Sequence, residues 1–146
     1  MNRLFKTAIF AALVVFGIQH NQIAVLSEAE AKAEKTPEQV VAEAFKSHRG
    51  NFQVKLQATV AKVLADDTQG LQHQRFLIQL SNGLTLLVAH NIGIAPRVDN
   101  LHESDPVELY GEYEWNNKGG VIHWTHHDPS RRHLAGWIKH AGQLYQ

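Results

Sequence analysis

From Asn51 onward apolar and polar residues alternate with a period of two, a pattern that suits half-buried strands and not helices. Phe52, Val54, Leu56, Ala58 and Val60 alternate with Gln53, Lys55, Gln57 and Thr59, but Val63 and Ala65 shift the apolar face to odd positions. The register therefore slips near Ala61, as a β-bulge in a long, bent first strand would make it do. Asp66 to Gly70 reads as a turn. His73 to Leu80 is a second strand, with Phe76, Ile78 and Leu80 on one face and His73, Arg75, Leu77 and Gln79 on the other. Ser81-Asn82-Gly83 turns the chain into a third strand, Leu84 to Asn91. Ile92 to Asp105, with Pro96, Val98 and Leu101, is expected to hold a short helix or helical turn. Val107 to Trp115 is a fourth strand with Gly111 placed for a bend, Asn116 to Gly120 is a hairpin loop, and Val121 to His126 is a fifth strand. After Pro129 the tail reads as irregular or briefly helical.

Three hairpin-linked strands, a short helical connection and two further strands follow the order of an OB-fold, a five-stranded and partly open barrel. The expectation is a mainly β chain with a small five-stranded OB-like barrel over residues 51–146, an N-terminal helix over residues 34–50, and a short helical connection between strands 3 and 4. Another small barrel, of the SH3 type, is the alternative. The helix rests on agreeing signals: Thr36 can cap, Pro37 suits the first helical position, Gln39 completes a capping box, and Val40, Val41, Ala44 and Phe45 form an apolar stripe that Gly50 ends.

Residues 1–33 read as a secretory signal. Arg3 and Lys6 precede an apolar run from Thr7 to Ile18, and Ala29-Glu30-Ala31 and Ala31-Lys32-Ala33 both fit an A-x-A cleavage site. An uncleaved anchor is the alternative, although the run is short for a bilayer. The expected location is exported, periplasmic or secreted. The 146 residues contain no cysteine, so disulfides and thiolate chemistry are excluded. Removing residues 1–33 leaves eleven basic and twelve acidic side chains, so long-range attraction to nucleic acid or an anionic membrane is not built into the net charge. Positive charge is local: Lys118, Arg131, Arg132 and Lys139 face only Asp128 from Lys118 to the end, along with five histidines.

His73 to Phe76 (HQRF), Ala89 to Asn91 (AHN), Gly111 to Trp115 (GEYEW) and the string GGVIHWTHHDP, followed by His133, Gly136-Trp137 and Tyr145, together resemble a family of small exported bacterial proteins known only as a domain of unknown function. The resemblance covers about Val60 to Gln146. It implies an exported OB-like domain and supplies no activity.

The density of imidazole beside a carboxylate in Val121 to Pro129 points to a site, although each histidine taken singly more often has a structural role. In an extended strand His123 and His127 share a face but stand about 13 Å apart at about 3.3 Å per residue, so one ion cannot bridge them directly. A metal site would need a turn at Asp128-Pro129 gathering His126, His127 and Asp128 with His133, and a histidine/carboxylate set suits a divalent ion such as zinc, manganese or nickel. Ligand binding is the leading reading. An oligonucleotide, oligosaccharide or metal ion would sit on a histidine-rich rim made from His73, Arg75, His90, Asn91, His123, Trp124, Arg131 and Arg132, with rings to stack on and cations to contact phosphate. One alternative is metal-dependent phosphodiester hydrolysis, with His127 and Asp128 activating water and Arg75 with Arg131 or Arg132 stabilising charge on the phosphate. A protein-interaction domain of the cell envelope is another. The sequence leaves open whether any reaction is catalysed.

Overall fold

The computed structural model describes residues 34–146, and the signal-like segment with both A-x-A sequences lies outside them. The chain divides into Met1–Lys35 and Thr36–Gln146, and the second unit holds every helix and strand among the described residues. Among those residues no helix is long and apolar enough to cross a membrane.

A short helix, α1 (Pro37–Lys46), opens the unit. Its capping signals are realised: the Thr36 hydroxyl accepts from the Gln39 N–H at 3.3 Å, and the Gln39 side-chain oxygen accepts from the Thr36 N–H at 2.9 Å. Val41 and Ala44 are fully buried against the barrel. The helix stops before Gly50, because His48 takes the left-handed conformation (φ 55°) and the Arg49 N–H closes on the Ala44 carbonyl at 2.9 Å. The Trp115 indole N–H donates to the Phe45 carbonyl at 3.0 Å, fastening the helix to the end of a strand.

Seven strands follow: β1 (Phe52–Val63), β2 (His73–Gln79), β3 (Thr85–Asn91), β4 (Pro106–Glu114), β5 (Val121–His123), β6 (Trp137–His140) and β7 (Gln143–Tyr145). The first five close a barrel in the ring order β1-β2-β3-β5-β4, sealed by β4 pairing back onto β1. Closure depends on the long first strand serving two neighbours. Phe52–Thr59 pairs with β4, Thr59–Val63 pairs with β2, and the register shift between Val60 and Lys62 is the bulge expected at Ala61. The neighbours β3 and β5 are parallel, with Leu87 opposite Val121 and Val88 opposite Ile122. Inside, Leu56, Phe76, Ile78, Leu109, Tyr113 and Ile122 are almost wholly buried.

Three expectations need correction. The β3–β4 connection contains no helix. Pro96 has no N–H to continue a helical ladder, and the loop is held by side chains instead: buried Gln74 pairs through its amide with both the N–H (2.8 Å) and the carbonyl (3.0 Å) of Val98. The fifth strand ends at His123, not His126, since Trp124 turns into the left-handed region (φ 51°). The tail is not irregular. It forms the β6–β7 hairpin, turned by Ala141 (φ 48°) and Gly142 (φ 80°), the two positive-φ residues of a type I′ turn. His140, in β6, meets Asp105 through Nε2 at 2.9 Å and anchors this hairpin to the β3–β4 loop.

Strand β4 carries the assembly. One edge is covered by β1, while the other is shared, Val107–Tyr110 pairing with β6 and Glu112–Glu114 with β5. Between them the chain leaves as the loop of residues 124–136 and returns, with the Gly136 N–H closing the neck on the His126 carbonyl at 3.0 Å. Two glycines make this crossing possible. A Cβ on Gly111 would lie 2.5 Å from the His123 carbonyl oxygen, and one on Gly136 would strike the carbonyl oxygens of Trp124 and Tyr110. Backbone cannot yield as a flexible side chain can. Gly136→Ala is therefore expected to lower the unfolding free energy in urea by about 3 kcal/mol, the upper end of overpacking costs; a loss below about 0.5 kcal/mol would mean that the strands are not in close contact there.

Candidate functional site

The strand parity of β4 sends Val107, Leu109 and Tyr113 inward and leaves Glu108, Tyr110, Glu112 and Glu114 half-buried on the outer face. Antiparallel pairing then sets Glu112 opposite His123 and Glu114 opposite Val121. Cross-strand partners on one face lie within side-chain reach, and here they converge. His123 Nε2 stands 3.6 Å from Glu112 Oε1, His133 Nδ1 stands 3.6 Å from Glu112 Oε2, and Gln53 Nε2, from the neighbouring β1, reaches Glu112 Oε2 at 3.5 Å. The Glu112 side chain is only 13% exposed, and among the described residues neither it nor Glu114 is paired with a lysine or arginine.

Trp124 completes this face. Its left-handed backbone, strained for a bulky residue, brings the indole beside His123 (6.1 Å between ring centroids) and under His133, which stacks on it at 3.7 Å and 12°. His133 is thus a bridge between the indole and Glu112. It is held from behind by Asp128, whose carboxylate accepts from the Ser130 hydroxyl (2.7 Å) and from the N–H groups of Ser130 (2.9 Å), Arg132 (2.7 Å) and His133 (2.9 Å). Those donors, the Ser130 hydroxyl first, hold the Asp128 carboxyl far below the usual carboxylate range.

Thr125 and His126 of the motif are buried beside His90 of β3. His90, fully buried, meets the Pro96 carbonyl through Nε2 (2.9 Å) and the Thr125 hydroxyl through Nδ1 (2.9 Å). A proline carbonyl can only accept, so Nε2 carries the proton and Nδ1 accepts from Thr125. The His126 ring meets that of His90 edge-on at 6.0 Å, and His126 Nδ1 faces the His127 carbonyl at 2.9 Å. Burial lowers the pKa of His90 despite the Pro96 bond, and burial lowers that of His123 despite Glu112 and Glu114.

The structure therefore groups His123, Trp124 and His133, and adds Glu112, Glu114 and Gln53, which the sequence pattern did not single out. GEYEW contained the signal: counting pairs outward from the hairpin of residues 116–120 sets Glu112 opposite His123. Several expected site residues do not join this group. His126, His127, Asp128 and His133 do not form a metal set, because both Asp128 oxygens are occupied by the turn, His126 packs inward on His90, and His127 is exposed. Of the expected catalytic residues, His127 is exposed, Asp128 is engaged by its turn, and Arg75 donates through Nε and Nη2 to the Ala65 carbonyl (3.1 and 3.0 Å). His73 Nδ1 lies 2.8 Å from the Leu71 carbonyl, Asn91 caps the turn at Gly93, and Arg131 and Arg132 are exposed, with Arg132 Nε donating to Ser130.

The depressed His90 has a consequence for stability. In the folded state it resists a proton that the unfolded chain accepts near the ordinary imidazole pKa of about 6.5, so the unfolded state binds more protons below that value and stability falls with it. Thermal melts should show a lower Tm at pH 5.5 than at pH 7.5, with a shallower dependence in His90→Gln; an unchanged slope in that variant would assign the proton uptake to other groups.

No curated protein and no solved structure matches this chain. A family model described as "Protein of unknown function (DUF3465)" matches residues 23–146, across the whole barrel and the histidine-rich loop, and the chain belongs to that family.

Proposed function

We propose that this protein is an exported OB-like domain, behind an N-terminal helix, that binds a cationic ligand on the outer face of the β4–β5 hairpin. Support for the OB-like identity is the ring order β1-β2-β3-β5-β4 with its bulged, shared first strand. Support for export is the charged start, apolar run and A-x-A sites of residues 1–33.

The single observation that carries the ligand class is Glu112, a carboxylate withdrawn from solvent with no lysine or arginine to answer it among the described residues. Burying an uncompensated charge is costly, and the nearest groups are imidazoles, of which His123 is pushed toward its neutral form by burial. A bound cation would supply the missing charge. The two other ligand classes fit less well. Glu112 and Glu114 repel the phosphates of an oligonucleotide, and the Trp124 face that a base or sugar would stack on is covered by His133. Binding is favoured over phosphodiester hydrolysis because the Asp128 carboxylate, the water-activating partner of that reading, already accepts from the N–H groups of Ser130, Arg132 and His133.

Hexaamminecobalt(III), a trication that cannot give up its ammonia ligands, tests the charge term alone. Titrated into the labelled protein at low salt, it should move the amide resonances of Glu112, His123 and Trp124, and Glu112→Gln should weaken the effect about tenfold. Shifts on this face with (dT)10 or a chitooligosaccharide, and none with the trication, would reverse the assignment.

A further inference from the structure

We infer that the cation is a divalent transition metal ion of the zinc class, held by Glu112, Glu114 and His123, with His133 as a positioning residue behind Glu112. This inference rests on the cationic-ligand reading above and names its occupant. One oxygen from each of Glu112 and Glu114 and a ring nitrogen of His123 all lie within 4.8 Å of one another.

The spacing distinguishes an ion site from a hydrogen-bonded pair. The 3.6 Å between His123 Nε2 and Glu112 Oε1 is too long for a hydrogen bond. Two donors each about 2.1 Å from a tetrahedral ion stand about 3.4 Å apart. The His123–Glu112 pair is thus close to the span that a metal needs and wider than the span that a proton needs, with a Glu114 oxygen within 4.8 Å of both residues' donor atoms.

One of these donor atoms and one further atom are left without a hydrogen bond here. His123 Nε2 and Gln53 Oε1 are shut off from solvent without a hydrogen-bond partner, and both residues contact Glu112. Buried polar atoms are rarely left unpaired. A metal ion would take the His123 lone pair directly, and a water molecule on that metal would be placed to donate to Gln53 Oε1.

The donor chemistry selects the ion. Imidazole favours zinc, nickel and copper over magnesium or calcium, while two carboxylates and the absence of cysteine disfavour copper(I). Three protein donors leave a fourth position open to water or to a ligand group. Beside them His133 faces the second Glu112 oxygen at 3.6 Å, and its stack on Trp124 and its N–H bond to Asp128 fix the ring. At that distance His133 positions the Glu112 carboxylate by packing beside it and not by a hydrogen bond.

The test uses the full chain, freed of metal with a chelator and titrated with ZnCl2 by calorimetry, with metal analysis after dialysis. Cobalt(II) serves as a coloured substitute. One ion per chain is expected, with visible cobalt bands of tetrahedral intensity. Glu112→Gln and His123→Gln should each weaken binding at least about a hundredfold, and His133→Ala about tenfold, with the circular dichroism unchanged in each. His127→Ala should bind as the parent does. Zinc binding that survives Glu112→Gln and His123→Gln but is lost in His127→Ala would overturn the inference by putting the ion elsewhere. If zinc, nickel and manganese all fail while hexaamminecobalt(III) still binds, the metal assignment falls and the cationic-ligand reading stands. Failure of every cation removes both.

Discussion

The barrel and its candidate site both depend on how strand β4 divides its free edge. β1 covers one side of β4 from Pro106 to Tyr113, which closes the ring. The other side must serve β5 and β6 in succession, and two separate strands can follow one another along a single edge only if the chain between them leaves the sheet. That excursion is the loop of residues 124–136. The same loop delivers His133 and Trp124 to the outer face, so the packing solution and the site are one arrangement. Gly111 and Gly136 permit it by letting backbone pass backbone where any side chain would collide.

The histidine-rich motif is divided between two environments by this geometry. His123 and Trp124 stay on the outer face, while Thr125 and His126 turn inward toward His90. The inner group is complete: donors and acceptors match, burial keeps His90 neutral, and the result is a locked polar junction among β3, its following loop and the end of β5. The outer group is incomplete. Glu112 stands 3.6 Å from each of two imidazoles, and two neighbouring polar atoms have no partner. Paired polar groups hold a fold together, and a buried polar atom left unpaired calls for an explanation. The contrast between the two halves of one short motif is the strongest reason to look for function on the outer face.

Asp128 shows how a residue that resembles a ligand in sequence can serve the scaffold. Acceptors at a tight turn satisfy N–H groups that would otherwise face the loop interior unpaired, and Asp128 does so for Ser130, Arg132 and His133 at once. Its effect on the site is indirect, through the position of the His133 ring over Trp124.

Period-two alternation, the bulge near Ala61 and the capping residues of α1 were legible in the sequence because they are local: each depends on residues within a turn or a strand of one another. A barrel of five strands followed from counting strands and connections. The β6–β7 hairpin escaped, since a four-residue strand and an Ala-Gly turn carry little local signal, and only pairing with β4 stabilises them. His123 and Trp124 stood out because histidine and tryptophan are rare in such density. Glu112 and Glu114 did not, because acidic residues alternating along a strand are what a solvated face also requires. What made them distinctive was the arrival of His123, His133 and Gln53 from three other segments, and the meaning of a carboxylate depends on what else is buried beside it.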